Sequence, residues 1–138
     1  MLKRLIEKLR QAYPKALILF RAGAGFAVPA LYSCLEDQPE TRYVIGFITN
    51  HRLLAQAAPP LLKAQQQYLE TGEKQRLFTA FSYQAESWDQ PRRVIAKGEY
   101  THPGAHQRFV VTSLVRNPQF VYDDLSVLRA TWQTASRH

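Results

Sequence analysis

Two glycines one residue apart, Gly23-Ala24-Gly25, follow the apolar run Ala16-Leu17-Ile18-Leu19-Phe20 and precede an amphipathic stretch that continues to Leu35. A glycine turn between a strand and a helix gathers backbone amides at one exposed edge, an arrangement that suits phosphates and dinucleotides. The wider fingerprint is incomplete. Its third glycine falls on Val28, whose side chain would hold the helix off the sheet, and the next strand ends in Ile48-Thr49-Asn50 instead of an acid for ribose hydroxyls. The turn itself carries no acid, hydroxyl or thiol, so a simple tight turn explains the glycines better than a nucleotide site does.

Other reactive side chains are dispersed. His51, His102, His106 and His138 pair at a ligand-like interval only as His102-x-x-x-His106, within a Pro-Gly turn, which reads as a loop and not as a metal site. Asp123-Asp124 has no carboxylate partner that spacing can place. Cys34, the sole cysteine, lies on the apolar side of a helix and reads as a packed thiol with no internal disulfide. Trp88 near Arg92-Arg93 could lie along a phosphate backbone, although a half-buried tryptophan at a corner between strands needs no ligand.

The elements that would position these groups follow from periodicity. Leu2, Leu5, Ile6, Leu9 and Ala12 recur at helical spacing, so Leu2–Tyr13 reads as an amphipathic helix stopped by Pro14. Ala16–Phe20 reads as a parallel strand covered on both faces. Pro29 suits the first turn of a helix that runs to Leu35, and Tyr43–Ile48 is a second buried strand, which completes a parallel βαβ unit. Asn50 caps a helix over His51–Ala58, Pro59-Pro60 is expected to break it, and Leu61–Thr71 resumes as a separate helix closed by Gly72. Arg76–Tyr83, Arg93–Tyr100 and Arg108–Leu114 read as an antiparallel meander. Asn117-Pro118 opens a last helix, Gln119–Leu128, before a polar tail.

With 138 residues, 46% of them hydrophobic, the chain has enough apolar surface for one globular domain. No run approaches a membrane span, and the amino terminus reads as a charged helix, so a cytoplasmic location with no membrane partner is expected. Eighteen Lys and Arg against 11 Asp and Glu give a formal charge of +7, which favours an acidic partner such as nucleic acid.

Several segments, in order, resemble bacterial insertion-sequence transposases of the DDE type. They are Leu5–Pro14, Ile18–Arg21, Gly25–Pro29, Tyr43–Gly46, Arg92–Lys97 and Arg108–Leu114. The resemblance implies an RNase H-like core interrupted by a β-rich insertion. It also implies three separated carboxylates holding two divalent ions, Mg²⁺ in the family, for phosphoryl transfer. The fold class expected is therefore α/β, a partial RNase H-like core with an antiparallel β insertion and flanking helices. The core part would be 1–58, the helical and β-rich insertion 59–114, the terminal helix 117–128 and the tail 129–138.

The family's second aspartate belongs to a motif read Arg-Gly-Asp-Ser-Gly-Phe, and the same frame here reads Arg21-Ala22-Gly23-Ala24-Gly25-Phe26. Gly23 stands where the aspartate would be. By the resemblance, the first aspartate and its strands belong upstream of Met1 and the glutamate helix downstream of Leu128. Reading the codons of Arg129–Arg137 one frame over permits Gly-Asp-Met-Ala-Asn-Arg-Ile-Lys, against the family's Gly-Asp-Met-Glu-Asn-Arg-Ile-Lys. The expectation is a truncated, inactive transposase remnant with no catalytic residue, no metal ligand and no cofactor. Weak non-specific DNA binding would involve Arg21, Arg92, Arg93 and Lys97, and copies of the chain would associate through the edge of Ala16–Phe20 or through Leu2–Tyr13. The alternatives are a small nucleotide-binding protein using Gly23–Gly25 and a structural interaction module.

Overall fold

The computed structural model describes residues 2–101 and 104–123. Helix α1 (Leu2–Ala12) leads to strand β1 (Ile18–Ala22), a 3-10 turn (Ala24–Phe26), helix α2 (Pro29–Glu36) and strand β2 (Thr41–Phe47). Helix α3 (His51–Thr71) follows, then strands β3 (Gln75–Tyr83), β4 (Arg92–Thr101) and β5 (Gly104–Thr112). Residues 118–123 are helical, with the Asn117 Oδ1 accepting from the amides of Gln119 and Phe120 at 3.0 and 3.3 Å. The expected continuation of this helix to Leu128, the tail with its shifted-frame reading, and His102 and His138 lie outside the described residues.

All five strands form one sheet, ordered β1-β2-β5-β4-β3. β1 and β2 are parallel, from Ile18 opposite Thr41 to Ala22 opposite Ile45, as a βαβ unit requires. The three later strands are the antiparallel meander, and β5 joins it to the core by pairing antiparallel with β2. The fold is thus a mixed α/β arrangement compatible with a partial RNase H-like core. Among the described residues β1 is an edge strand with a neighbour on one side, and it is half-buried along its whole length.

Side-chain alternation divides the sheet into two faces. Phe20, Tyr43, Ile45, Val94, Ala96, Phe109 and Val111 face the helices and pack with Ile6, Tyr32, Leu35, Leu53 and Ala57. On the second face Leu19, Val44, Ile95, Val110 and Phe78 pack with Val121 and Tyr122. Trp88, expected to be half-buried, is only 5% exposed. Its ring centroid lies 5.5, 5.4 and 5.6 Å from those of Tyr32, Phe47 and Tyr83, which makes it a core residue.

Helix α3 departs from expectation. Asn50 caps it, accepting from the Leu53 amide at 3.0 Å, and Gly72 closes it at φ 72°, but Pro59 and Pro60 lie inside one continuous helix. The two prolines remove the donors that would reach the carbonyls of Ala55 and Gln56. Tertiary packing holds the helix through that point. Gly98 of β4 lets the backbone come so close that a Cβ there would lie 3.2 Å from the Leu61 Cα. In the next turn Ala64 is fully buried, while Gln107 Nε2 donates to the Ala57 carbonyl at 3.3 Å.

Candidate functional site

β1 delivers the chain to Gly23 at the carboxyl end of the two parallel strands, where open α/β sheets place ligands. Gly23 has φ −79° and ψ 179°, extended backbone open to any residue, and a Cβ on Gly23 or Gly25 would meet nothing within 4 Å. Neither glycine is required by the shape of the turn. The glycine that is required lies across from it on β2. A Cβ on Gly46 would sit 3.1 Å from the Ala24 amide nitrogen and 3.4 Å from the Gly23 carbonyl carbon. This role was not read from the sequence, although a lone glycine inside the apolar strand Tyr43–Ile48 is the usual mark of a close backbone approach.

β2 ends at Phe47, opposite Phe109, whereas β5 begins five residues earlier, at Gly104. The difference leaves a notch of about 830 Å³ between the glycine turn and the overhanging part of β5. Gly23, Ala24, Thr49, His106, Gln107 and Arg108 are among its lining residues. No Asp or Glu is among them, and no group of three His, Cys, Asp or Glu that could hold a metal exists among the described residues. Such a lining does not fit a divalent cation, which needs several oxygen ligands and compensating negative charge.

Of the four arginines and lysines singled out from the sequence, three share the second face of the sheet. Arg21 follows the alternation of Leu19, while Arg93 and Lys97 follow that of Ile95. Arg92 is on the opposite face, inside the core, with its side chain 2% exposed. Its Nε and Nη2 donate to the two Glu36 carboxylate oxygens at 2.8 and 2.9 Å, and Nη2 also reaches Asp89 at 3.1 Å. The hydrogen bonds it donates to Glu36 raise the affinity of this guanidinium for its proton, outweighing its burial. Burial alone would raise the Glu36 carboxyl, but Arg92 and the Tyr43 hydroxyl, at 2.6 Å, hold it below the ordinary carboxylate range. Arg92 therefore offers no charge to a phosphate backbone. Arg93 is directed at the carbonyls of Leu114 and Arg116, both at 2.7 Å, and Lys97 lies 3.2 Å from Glu99. Cys34 is half-buried.

The model for the family described as transposase DDE domain group 1 matches residues 1–135. The chain belongs to the DDE transposase family. No curated protein and no solved structure matches it. The family ties this transposase domain to DNA transposition and to DNA as its partner. Sequence reasoning missed Arg108 as a residue of the notch, because it depends on where β2 stops relative to β5. The alternation of Arg108 with Val110 was visible, but the end of the neighbouring strand was not.

Proposed function

We propose that this DDE transposase-family chain does not itself cut or join DNA, and that its retained role is weak, sequence-independent DNA binding or association with another protomer. The reading follows from the resemblance that sets Gly23 in the frame of the family's second aspartate, and the observation that supports it is the notch beside Gly23, lined by Arg108 and His106 and, among the described residues, by no carboxylate. Two divalent ions a few ångströms apart need carboxylates to offset their charge, and an arginine in the same space opposes them. No metal cofactor is expected. The test is strand cleavage and joining on supercoiled and linear DNA with Mg²⁺ or Mn²⁺, for which the expected result is no reaction. Gly23→Asp fits the open space at the turn, yet one carboxylate is not a two-metal site, so this variant should be inactive too. Metal-dependent nicking by the unaltered protein, lost on mutation within 21–26, would overturn the proposal.

DNA contacts would come from the second face of the sheet, with Arg21 and Arg108, and with Arg93 and Lys97 contributing at longer range. Contacts of this kind give dissociation constants of roughly 10⁻⁴ to 10⁻⁶ M at physiological salt and weaken steeply as salt is added. Association between copies would use the outer edge of β1. Its backbone is the template that edge strands offer, and Leu17, just before it, is 56% exposed. No described helix is long and apolar enough to cross a membrane. Action in the cytoplasm is part of the proposal.

A further inference from the structure

The geometry points to the notch at the end of β2 as a metal-independent phosphate site, in which Arg108 and His106 hold the anion against the Gly23–Ala24 turn. Charge is the first support. Arg108 lies directly opposite Lys97 in the β4–β5 ladder, on the same face, and like charges so placed repel. Lys97 is relieved by Glu99, at 3.2 Å, and by the Tyr122 ring, 5.0 Å from its Nζ. Glu99 is also shared with Lys74, at 2.6 Å. Exposed Arg108 has no ion pair or hydrogen bond among the described residues, so the wall of the notch carries positive charge that those residues leave uncompensated.

The backbone is the second support. The Ser113 amide donates to the Tyr43 carbonyl, and this sets the alternation of the β2–β5 ladder, in which Val111 and Phe109 continue to face β2. The next residue in that series is Gln107, beyond the last β2 partner. Its amide is directed into the notch without a strand opposite. His106 and Arg108 flank it and share a face, so one peptide donor and two donor-bearing side chains border the same space, which Thr49 lines as well. About 830 Å³ accommodates a phosphate with an attached group. The shared chemistry is a phosphate group, free or in a nucleic-acid backbone. The location coincides with that of the metal ligand considered in the proposed function, and the test separates the two readings.

The experiment is titration of the full chain with inorganic pyrophosphate in EDTA at fixed ionic strength, followed by calorimetry and by amide chemical shifts. One equivalent should bind, with the largest shifts at Gln107 and Ala24. Arg108→Gln should weaken binding about tenfold or more, as the loss of a charge-assisted hydrogen bond does. Arg108→Lys should weaken it less. Lys63→Ala, which removes an exposed charge from α3, should leave it unchanged. Duplex oligonucleotide added to the pyrophosphate complex identifies the source. Competition assigns the site to backbone phosphate, and simultaneous binding assigns it to a free phosphate compound. Equal effects of Arg108→Gln and Lys63→Ala, or binding that appears only with Mg²⁺, would overturn the inference. Metal-dependent strand cleavage would refute the proposed function and leave the EDTA titration untouched.

Discussion

Glu36→Gln removes one charge from an enclosed cluster while keeping the size and shape of the side chain. The Arg92 side chain it faces is 2% exposed and donates to both carboxylate oxygens. Removing one partner of a buried ion pair costs about 3–5 kcal/mol, because the other charge stays buried without compensation. Two features of the structure put this pair at the lower end. The Glu36 side chain is 23% exposed, and Asp89 still approaches Arg92 at 3.1 Å, from a side chain that is 66% exposed. A loss of about 3 kcal/mol is expected at pH 7. With a urea dependence of about 2 kcal/mol/M, the midpoint falls by roughly 1.5 M with no change in slope. Trp88, whose ring lies 5.6 Å from the Arg92 guanidinium carbon, supplies the fluorescence signal. The Glu36 carboxyl is held below its unfolded value, so its contribution is complete above that value, about 4.3, and is lost as pH falls through the folded one. The gap between wild type and variant should therefore be full at pH 7 and close in acid. Combining the change with Arg92→Met should recover part of the loss. A loss under about 1 kcal/mol, strict additivity in that double mutant, or a gap that widens in acid would refute the reasoning.

Gly46→Ala drives a methyl against the Ala24 amide at 3.1 Å and should cost about 1–3 kcal/mol, whereas Gly23→Ala, into open space, should change stability by less than about 0.5 kcal/mol; a calorimetric melting series in which the two are equal would contradict the close approach. Tyr32→Phe should stabilise the fold by about 1 kcal/mol, since its hydroxyl is buried with no hydrogen-bond partner among the described residues, and a loss in urea titration would show that the hydroxyl is satisfied. Burial also pushes the Tyr32 phenol up to about 12, so alkaline absorbance titration should find it ionising after the exposed tyrosines. Asn50→Ala should cost about 1 kcal/mol through the lost cap, and amide exchange should accelerate in the first turn of α3.

What the sequence disclosed about this fold was local. The cap at Asn50, the stop at Gly72, the start at Pro29 and the parallel unit around the glycine turn each depend on a few neighbouring residues with narrow conformational options. Contacts between distant segments were hidden. Pro59-Pro60 has every local property of a helix break, but Gly98, far along the chain, gives that helix a surface to lie on. Arg92-Arg93 looks like a basic pair, yet consecutive strand residues point to opposite faces, and one of them meets Glu36 inside the core. The glycine turn was legible as the junction between a parallel strand and a helix, but the required glycine, Gly46, and the exposed arginine, Arg108, belong to strands whose register with the turn only the sheet establishes.

The distribution of carboxylates joins the stability of this chain to its proposed function. Glu36 and Asp89 are bound to Arg92, Glu99 to Lys74 and Lys97, and Asp123 to Arg76 at 2.6 Å. Each of these acids answers a cation of the fold's own. Hydrogen bonds from Lys74 hold the Glu99 carboxyl below its ordinary value, against a smaller opposing effect of burial, so its charge is matched locally and is not available to a metal. A two-metal centre needs the opposite arrangement, with several carboxylates converging and their charge unmatched until the ions arrive. At the end of β1 and β2 the excess charge is positive instead, on Arg108, next to a turn whose position 23 carries no side chain. An aspartate placed at position 23 would bring a carboxylate toward that arginine and pair the two. Such a pair would consume the new ligand and remove the anion site in one step, so Gly23→Asp should abolish pyrophosphate binding without creating metal binding. Tight Mg²⁺ binding by Gly23→Asp, with pyrophosphate affinity unchanged, would sink this account of the notch.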